Sequence, residues 1–295
     1  MMYRFSGHET FQCKEQWLTK GIQLTEKQDY TEELEIQELG VGRNMVKSIK
    51  HWLRAFGWIN NDQEITELAK MVIKYDPYLE NEATTWLLQY SLCKERYASI
   101  FNLIFYDYFS DKVTNEFSET SIILYITRKL NSKSNFDKNG RIKEKNKALA
   151  ENTLKSDIKV FIKTYLPPKK NIKTIEEDFN APLLHLGLIV DTQRKNGNNE
   201  PIYRINKAAH SSISANLFKY FLLDFFKSET TISLDEIRKK LGSILCLSLD
   251  GIENLITSIC EGNSEFVFKD DAGIKQLQIK YTDSKFEFLK TIYEN

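Results

Sequence analysis

From Gly42 to Phe56 the residues Met45, Val46, Ile49, Trp52, Leu53 and Phe56 recur at spacings of three and four. That is the period of an α-helix with one buried face, and no strand accommodates it. On a helical wheel Arg43, Lys47, Lys50 and Arg54 share an arc of roughly 60° on the other side. No acidic residue occurs between Leu39 and Asn61. The apolar face therefore has to pack against neighbouring helices, while four cations and the amide of Asn44 face outward. A helix divided in this way can lie in a major groove, touching phosphates and base edges. The alternative is an amphipathic surface helix whose charges meet only water.

The neighbouring segments fit that requirement. Helices are expected over Lys14 to Leu24 and Thr31 to Leu39, with a Gly40-Val41-Gly42 turn before the basic helix and Gly57 as its stop. Trp58-Ile59 and Ile65-Thr66 then read as a short hairpin, which completes winged-helix order. The same order recurs twice. Helices over Glu82–Cys93, Tyr97–Phe109, Thr120–Leu130 and Asn152–Tyr165 precede a hairpin of Leu186–Thr192 and Pro201–Ile205 around Asn196-Gly197. In the helix Asn152–Tyr165, Lys155, Lys159 and Lys163 line up at four-residue steps against Leu154, Ile158, Phe161 and Tyr165. Arg194 and Lys195 give its hairpin a basic tip, suited to a phosphate or minor groove or simply to solvent. Helices over Ala215–Lys227, Leu234–Leu241 and Leu249–Cys260, with a hairpin of Phe266–Lys269 and Lys275–Lys280, form a third set. Its last helix carries Asp250 and Glu253 and no Lys or Arg, which favours protein contact over DNA.

The expected fold is mainly α (α+β), with tandem winged-helix-like units and short β-hairpin wings. The units divide at residues 1–78, 79–210 and 211–295. A chain of 295 residues is long enough for two or three such units.

Charge layout matters more than its total. The chain holds 41 basic and 41 acidic residues, yet between Arg128 and Lys173 fourteen basic residues face four acidic ones. That window is a candidate footprint for a polyanion, although Asn131 to Lys147 also reads as a solvated polar loop. The four cysteines are far apart, as in a cytoplasmic protein with reduced thiols, and offer no paired zinc-ligand motif. No apolar run is long enough to span a membrane, and the first residues do not resemble an export signal. Phosphate-loop, dinucleotide and hydrolase-elbow motifs are missing, so no cofactor is expected.

One stretch carries possible chemistry: Phe5-Ser6-Gly7-His8-Glu9-Thr10-Phe11. His8 and Glu9 are candidate acid–base residues if other groups join them in space. Being adjacent, their side chains diverge, so they do not form a metal pair on their own. The structural alternative is that they tie the amino-terminal segment to the first domain through hydrogen bonds.

With Trp17-Leu18-Thr19-Lys20-Gly21, Gly40-Val41-Gly42-Arg43-Asn44-Met45-Val46 and Asp76-Pro77-Tyr78-Leu79-Glu80, this stretch resembles the bacterial family catalogued as domain of unknown function four thousand and seven. The likeness is clear over roughly the first 90 residues. Gln12 and Lys14 depart from the proline and arginine of the family pattern. The resemblance implies a place in DNA phosphorothioate modification and restriction systems, beside cysteine desulfurase, sulfurtransferase-like and ATPase partners. It also implies DNA contact, and makes the chain a candidate for the strand nicking that sulfur insertion needs.

Three functions are therefore weighed. The first is a double-stranded DNA-binding subunit using Arg43, Asn44, Lys47, Lys50 and Arg54, with Lys155, Lys159, Lys163, Arg194 and Lys195 extending the track. The second is a magnesium- or manganese-dependent nickase with His8 and Glu9 near its centre. The third is a regulator or scaffold, for which a homodimer on paired half-sites is expected.

Overall fold

The computed structural model describes residues 3–26, 31–110, 112, 114–132, 151–167, 181–281 and 283–294. Of the lysine-rich stretch Asn131–Lys147, residues 133–147 lie outside the described residues.

The amino-terminal helices are α1 (Glu15–Glu26), α2 (Glu32–Leu39) and α3 (Arg43–Ala55). Thr31 caps α2 by accepting from the Leu34 amide, and Gly40 ends it in the left-handed conformation, φ 63°. Trp17, Leu18 and Ile22 of α1 join Val46, Ile49, Trp52 and Leu53 of α3 in the core, as the wheel requires.

The wing expected after α3 is present but short: an antiparallel bridge, Ile59 to Ile65, flanked by hydrogen bonds from the Asn60 amide to the Glu64 carbonyl and from the Thr66 amide to the Trp58 carbonyl, both at 2.9 Å. Asn60 Oδ1 accepts the amides of Asp62 and Glu64, both at 2.9 Å, which consumes donors a longer ladder would use. Thr66 closes that wing and its side chain also caps α4 (Glu67–Tyr75), a helix not assigned from sequence although Leu68, Ala69 and Val72 recur at helical spacing.

Next come α5 (Glu82–Lys94), α6 (Ser99–Asn102) running into a π-helical turn at Leu103–Tyr108, α7 (Glu119–Ser132) and α8 (Glu151–Tyr165). Strands β1 (Glu116–Phe117), β2 (Ile189–Lys195) and β3 (Pro201–Ile205) form an antiparallel sheet in the order β1-β3-β2. The expected β2–β3 hairpin is present, with a register shift between Asp191 and Lys195 where Gln193 has φ 59°.

The carboxyl-terminal part holds α9 (Ala215–Phe226), β4 (Thr231–Ser233), α10 (Leu234–Ile237) with a π-helical turn at Arg238–Gly242, α11 (Leu249–Cys260), β5 (Phe266–Asp271), β6 (Ile274–Ile279) and α12 (Phe286–Glu294). Its sheet runs β4-β6-β5. The architecture is therefore mixed α+β, helix-rich with two small antiparallel sheets.

One buried apolar cluster runs from Cys13 to Leu289. Polar ties cross it. Tyr90 donates to Asp224 at 2.7 Å, and Lys94 and Lys285 each approach the same carboxylate at 2.5 Å. Burial pushes the Asp224 carboxyl up, but those two ammonium groups and Tyr90 outweigh it and hold it below the usual range. Tyr165 donates to Gln89 Oε1 at 2.6 Å, and Gln89 Nε2 donates to the Ile244 carbonyl at 2.8 Å. Trp86, Tyr90, Phe101 and Phe105 are buried in the core. Cys13, Cys93 and Cys246 are free thiols, buried, and burial raises all three. Among the described residues no helix is long and apolar enough to cross a membrane.

Candidate nucleic-acid interface

The amino-terminal motif takes an unusual backbone path. Ser6, Gly7, Glu9 and Thr10 all have positive φ, at 64°, 97°, 47° and 67°. Only Gly7 adopts this without cost, and a Cβ there would meet His51 Nδ1 at 2.7 Å.

Such a path persists only when its surroundings hold it, and Asp157 of α8 does so. Both Asp157 oxygens accept from the Ser6 amide at 3.1 Å, and Oδ1 lies 3.0 Å from His8 Nε2. The Thr10 amide donates to His8 Nδ1 at 3.1 Å. Nδ1 is therefore an acceptor, so Nε2 carries the proton and donates to Asp157, leaving a neutral ring. Ser48 of α3 donates to the His8 carbonyl at 3.0 Å, and Trp52 Nε1 to the Phe11 carbonyl at 3.2 Å. The motif thus fastens α3 to α8.

In this arrangement His8 serves as a structural tie. The side chain is 3% exposed and both ring nitrogens have hydrogen-bond partners within the chain. The tie also reaches beyond the first helices, to a residue 149 positions away. Glu9 is partly exposed beside it. Among the described residues no group of three or more His, Cys, Asp or Glu side chains converges to hold a metal ion.

His51 packs edge-on against His8 with ring centroids 5.8 Å apart. Its Nε2 is buried without a hydrogen-bond partner. Burial pushes its pKa down to about 3, and His8 and Arg4 push the same way.

The basic face of α3 is less available than the wheel implied. Arg43 pairs with Glu32 of α2 at 3.0 Å, and Lys50 pairs with Glu35 at 2.5 Å. Arg54 donates to Asn61 at 2.6 Å and stacks 5.0 Å from the Tyr97 ring, which Arg4 also covers at 4.2 Å. Asn44 and Lys47 are exposed, and Lys47 has no ion pair among the described residues. The carboxylates come from α2, outside the acid-free window, which a single-helix wheel does not register.

Helix α8 is different. Its reverse side buries Leu154, Asp157, Ile158, Phe161 and Tyr165. Its outer side forms one wall of a cleft of about 820 Å³, with Lys155, Lys159, Lys163, Ile162 and Leu166 lining it. Asp191, Gln193, Pro201 and Tyr203 of the β2–β3 hairpin also line it.

The cleft is polarised. Glu119, Glu151 and Glu200 line the end near Lys155. Glu151 pairs with Lys155 at 2.6 Å and holds its ammonium above the usual lysine value, with Glu119 and Glu200 adding to the field. One and two turns further along, Lys159 and Lys163 are exposed and have no ion pair among the described residues. At the hairpin tip Arg194 is bound by Glu116 of β1, whereas Lys195 is exposed.

Sequence reasoning missed Asp157, His51, Glu32 and Glu35. A signal existed for Asp157, which falls on the apolar face of α8 between Leu154 and Ile158. A carboxylate in that position needs buried donors.

The fold and the four ordered motifs define a class. The chain belongs to the family described as "Protein of unknown function (DUF4007)", which matches residues 5–293. Two solved structures share its fold. A crystal structure of magnesium ion-bound SspB aligns with a TM-score of 0.79 at 20% identity, covering 100% of this chain and 89% of that one. A second crystal structure of SspB aligns with a TM-score of 0.76 at 20% identity, with the same coverage, 100% and 89%. No curated protein matches the chain.

Proposed function

We propose that this protein is a DNA-binding component of a DNA phosphorothioation-type modification and defence system, and that it holds DNA chiefly along the outer face of α8. The observation that carries this reading is the pair of exposed cations Lys159 and Lys163, without an ion pair among the described residues and set one turn apart on a cleft wall. Polyanion binding draws on cations that are not already neutralised, since counterion release scales with the phosphates they contact. Lys195 at the hairpin tip and Lys47 on α3 extend the surface. Arg43, Lys50, Arg54 and Arg194 contribute less, because each already has a partner within the chain.

The link to phosphorothioation rests on family membership and on the likeness to SspB. Desulfurase, sulfurtransferase-like or ATPase subunits are the partners this reading implies. The hairpin of the third helix set, β5–β6, is longer than the short one after α3.

The test is the double charge reversal Lys159→Glu with Lys163→Glu, read by DNA-binding titrations over a range of salt. Affinity should fall by at least about tenfold, with the slope of log K against log salt smaller by about two. An unchanged slope in a folded variant removes the reading.

A metal-dependent nickase is the second reading, favoured by the magnesium bound in one SspB structure. Supercoiled plasmid incubated with magnesium or manganese decides it. Nicking that disappears with Glu9→Ala supports it, and an intact plasmid speaks against it.

A further inference from the structure

The shape of the α8 cleft selects among polyanions. Its volume, about 820 Å³, is in the class of small-ligand pockets, about 300–1,000 Å³. A duplex is read by an element that projects into its groove or lies across its backbone. Here the lysines stand on a wall, facing a second wall built from the β2–β3 hairpin. Phosphates can reach both only if a single strand enters.

Lys159 and Lys163 are one turn apart, about 6 Å along the helix axis, so each can meet a separate phosphate. Ile162, Leu166, Pro167 and Pro201 supply apolar surface between and beyond them, suited to sugars and base faces. The carboxylates of Glu119, Glu151 and Glu200 close the Lys155 end to phosphate by repulsion, so the site is short.

We infer that the cleft between α8 and the β2–β3 hairpin binds an unpaired stretch of nucleic-acid strand through Lys159 and Lys163, an inference that rests on the DNA-binding function proposed for the same helix. The strand is either free or extruded from a duplex. The acidic end fixes the extent of the site, and the apolar strip accepts the unpaired bases.

Three labelled probes of one sequence test this with the full chain at fixed salt: a short single strand, its perfect duplex, and the same duplex with one unpaired bulged nucleotide. The single strand should bind at least about tenfold tighter than the perfect duplex. Lys159→Gln with Lys163→Gln, which neutralises two exposed side chains and should leave the melting temperature unchanged, should erase that preference.

A bulged duplex that binds like the single strand identifies extrusion as the source. One that binds like the perfect duplex identifies free strand. Equal affinity for single strand and perfect duplex, with both lysines still needed, overturns the inference while the DNA-binding reading stands. No binding to any probe overturns both.

Discussion

Helices α3 and α8 each carry a row of cations opposite an apolar face, and they differ in what their neighbours supply. Against α3 lies α2, which brings Glu32 and Glu35 to Arg43 and Lys50. Against α8 lies a hairpin whose near wall offers Gln193, Pro201 and Tyr203 beside one carboxylate, Asp191, while Glu119, Glu151 and Glu200 gather at the Lys155 end. The pattern on one helix sets where its charge points. The partner element decides whether that charge is available.

The largest expected effect concerns the reverse side of α8. Asp157 is 2% exposed and satisfies the Ser6 amide and the His8 ring. Asp157→Ala leaves the buried His8 ring N–H unmatched and the Ser6 amide without its partner, and should cost about 3 kcal/mol in denaturant unfolding. A loss below about 1 kcal/mol would mean that the motif does not fasten α3 to α8.

A smaller effect separates the two faces directly. Lys47→Glu on α3 should lower the salt slope of DNA binding by no more than about one, half the effect of reversing Lys159 and Lys163 together. Equal effects would erase the contrast.

Acidity probes the layer between the helices. His51 is held neutral in the folded chain, down to about 3, while the unfolded chain takes up a proton near the ordinary histidine value. The unfolded state then binds more protons across that interval. Stability should be full above the ordinary value and decline as pH falls below it, by at most about 1.4 kcal/mol per pH unit. His51→Gln should flatten that slope in melting curves taken from neutral to mildly acidic pH. A slope unchanged by the substitution would assign the acid sensitivity to other groups.

The smallest effect is Lys50→Ala. Its partner Glu35 has a side chain only 11% exposed, and the pair is half open to water on the lysine side. A cost of about 1 kcal/mol is expected with DNA affinity nearly unchanged.

Much of this fold can be read from periodicity. The bounds of α3, α5, α8, α9 and α11 follow, to within a residue or so, from where apolar residues recur, and the β2–β3 and β5–β6 hairpins follow in existence, though β2 is shifted from Leu186–Thr192 to Ile189–Lys195 because Leu184–Leu186 forms a separate turn ended by Gly187. The wing after α3 follows in place but stays short, because Asn60 Oδ1 takes the Glu64 amide that would extend the ladder.

At the site, the lysine row of α8 is legible, because three identical residues four apart can only share a face. The neutralisation of α3 is not, since Glu35 and Lys50 are fifteen positions apart on different helices. Nor is the commitment of His8, whose partner lies 149 residues further along.

Lysine acylation with and without bound DNA, read residue by residue by mass spectrometry, compares the two helices in one experiment. The account predicts that DNA shields Lys159 and Lys163 strongly and Lys47 weakly. Shielding of Lys47, with Lys159 and Lys163 labelled as fully as in the free protein, would contradict it.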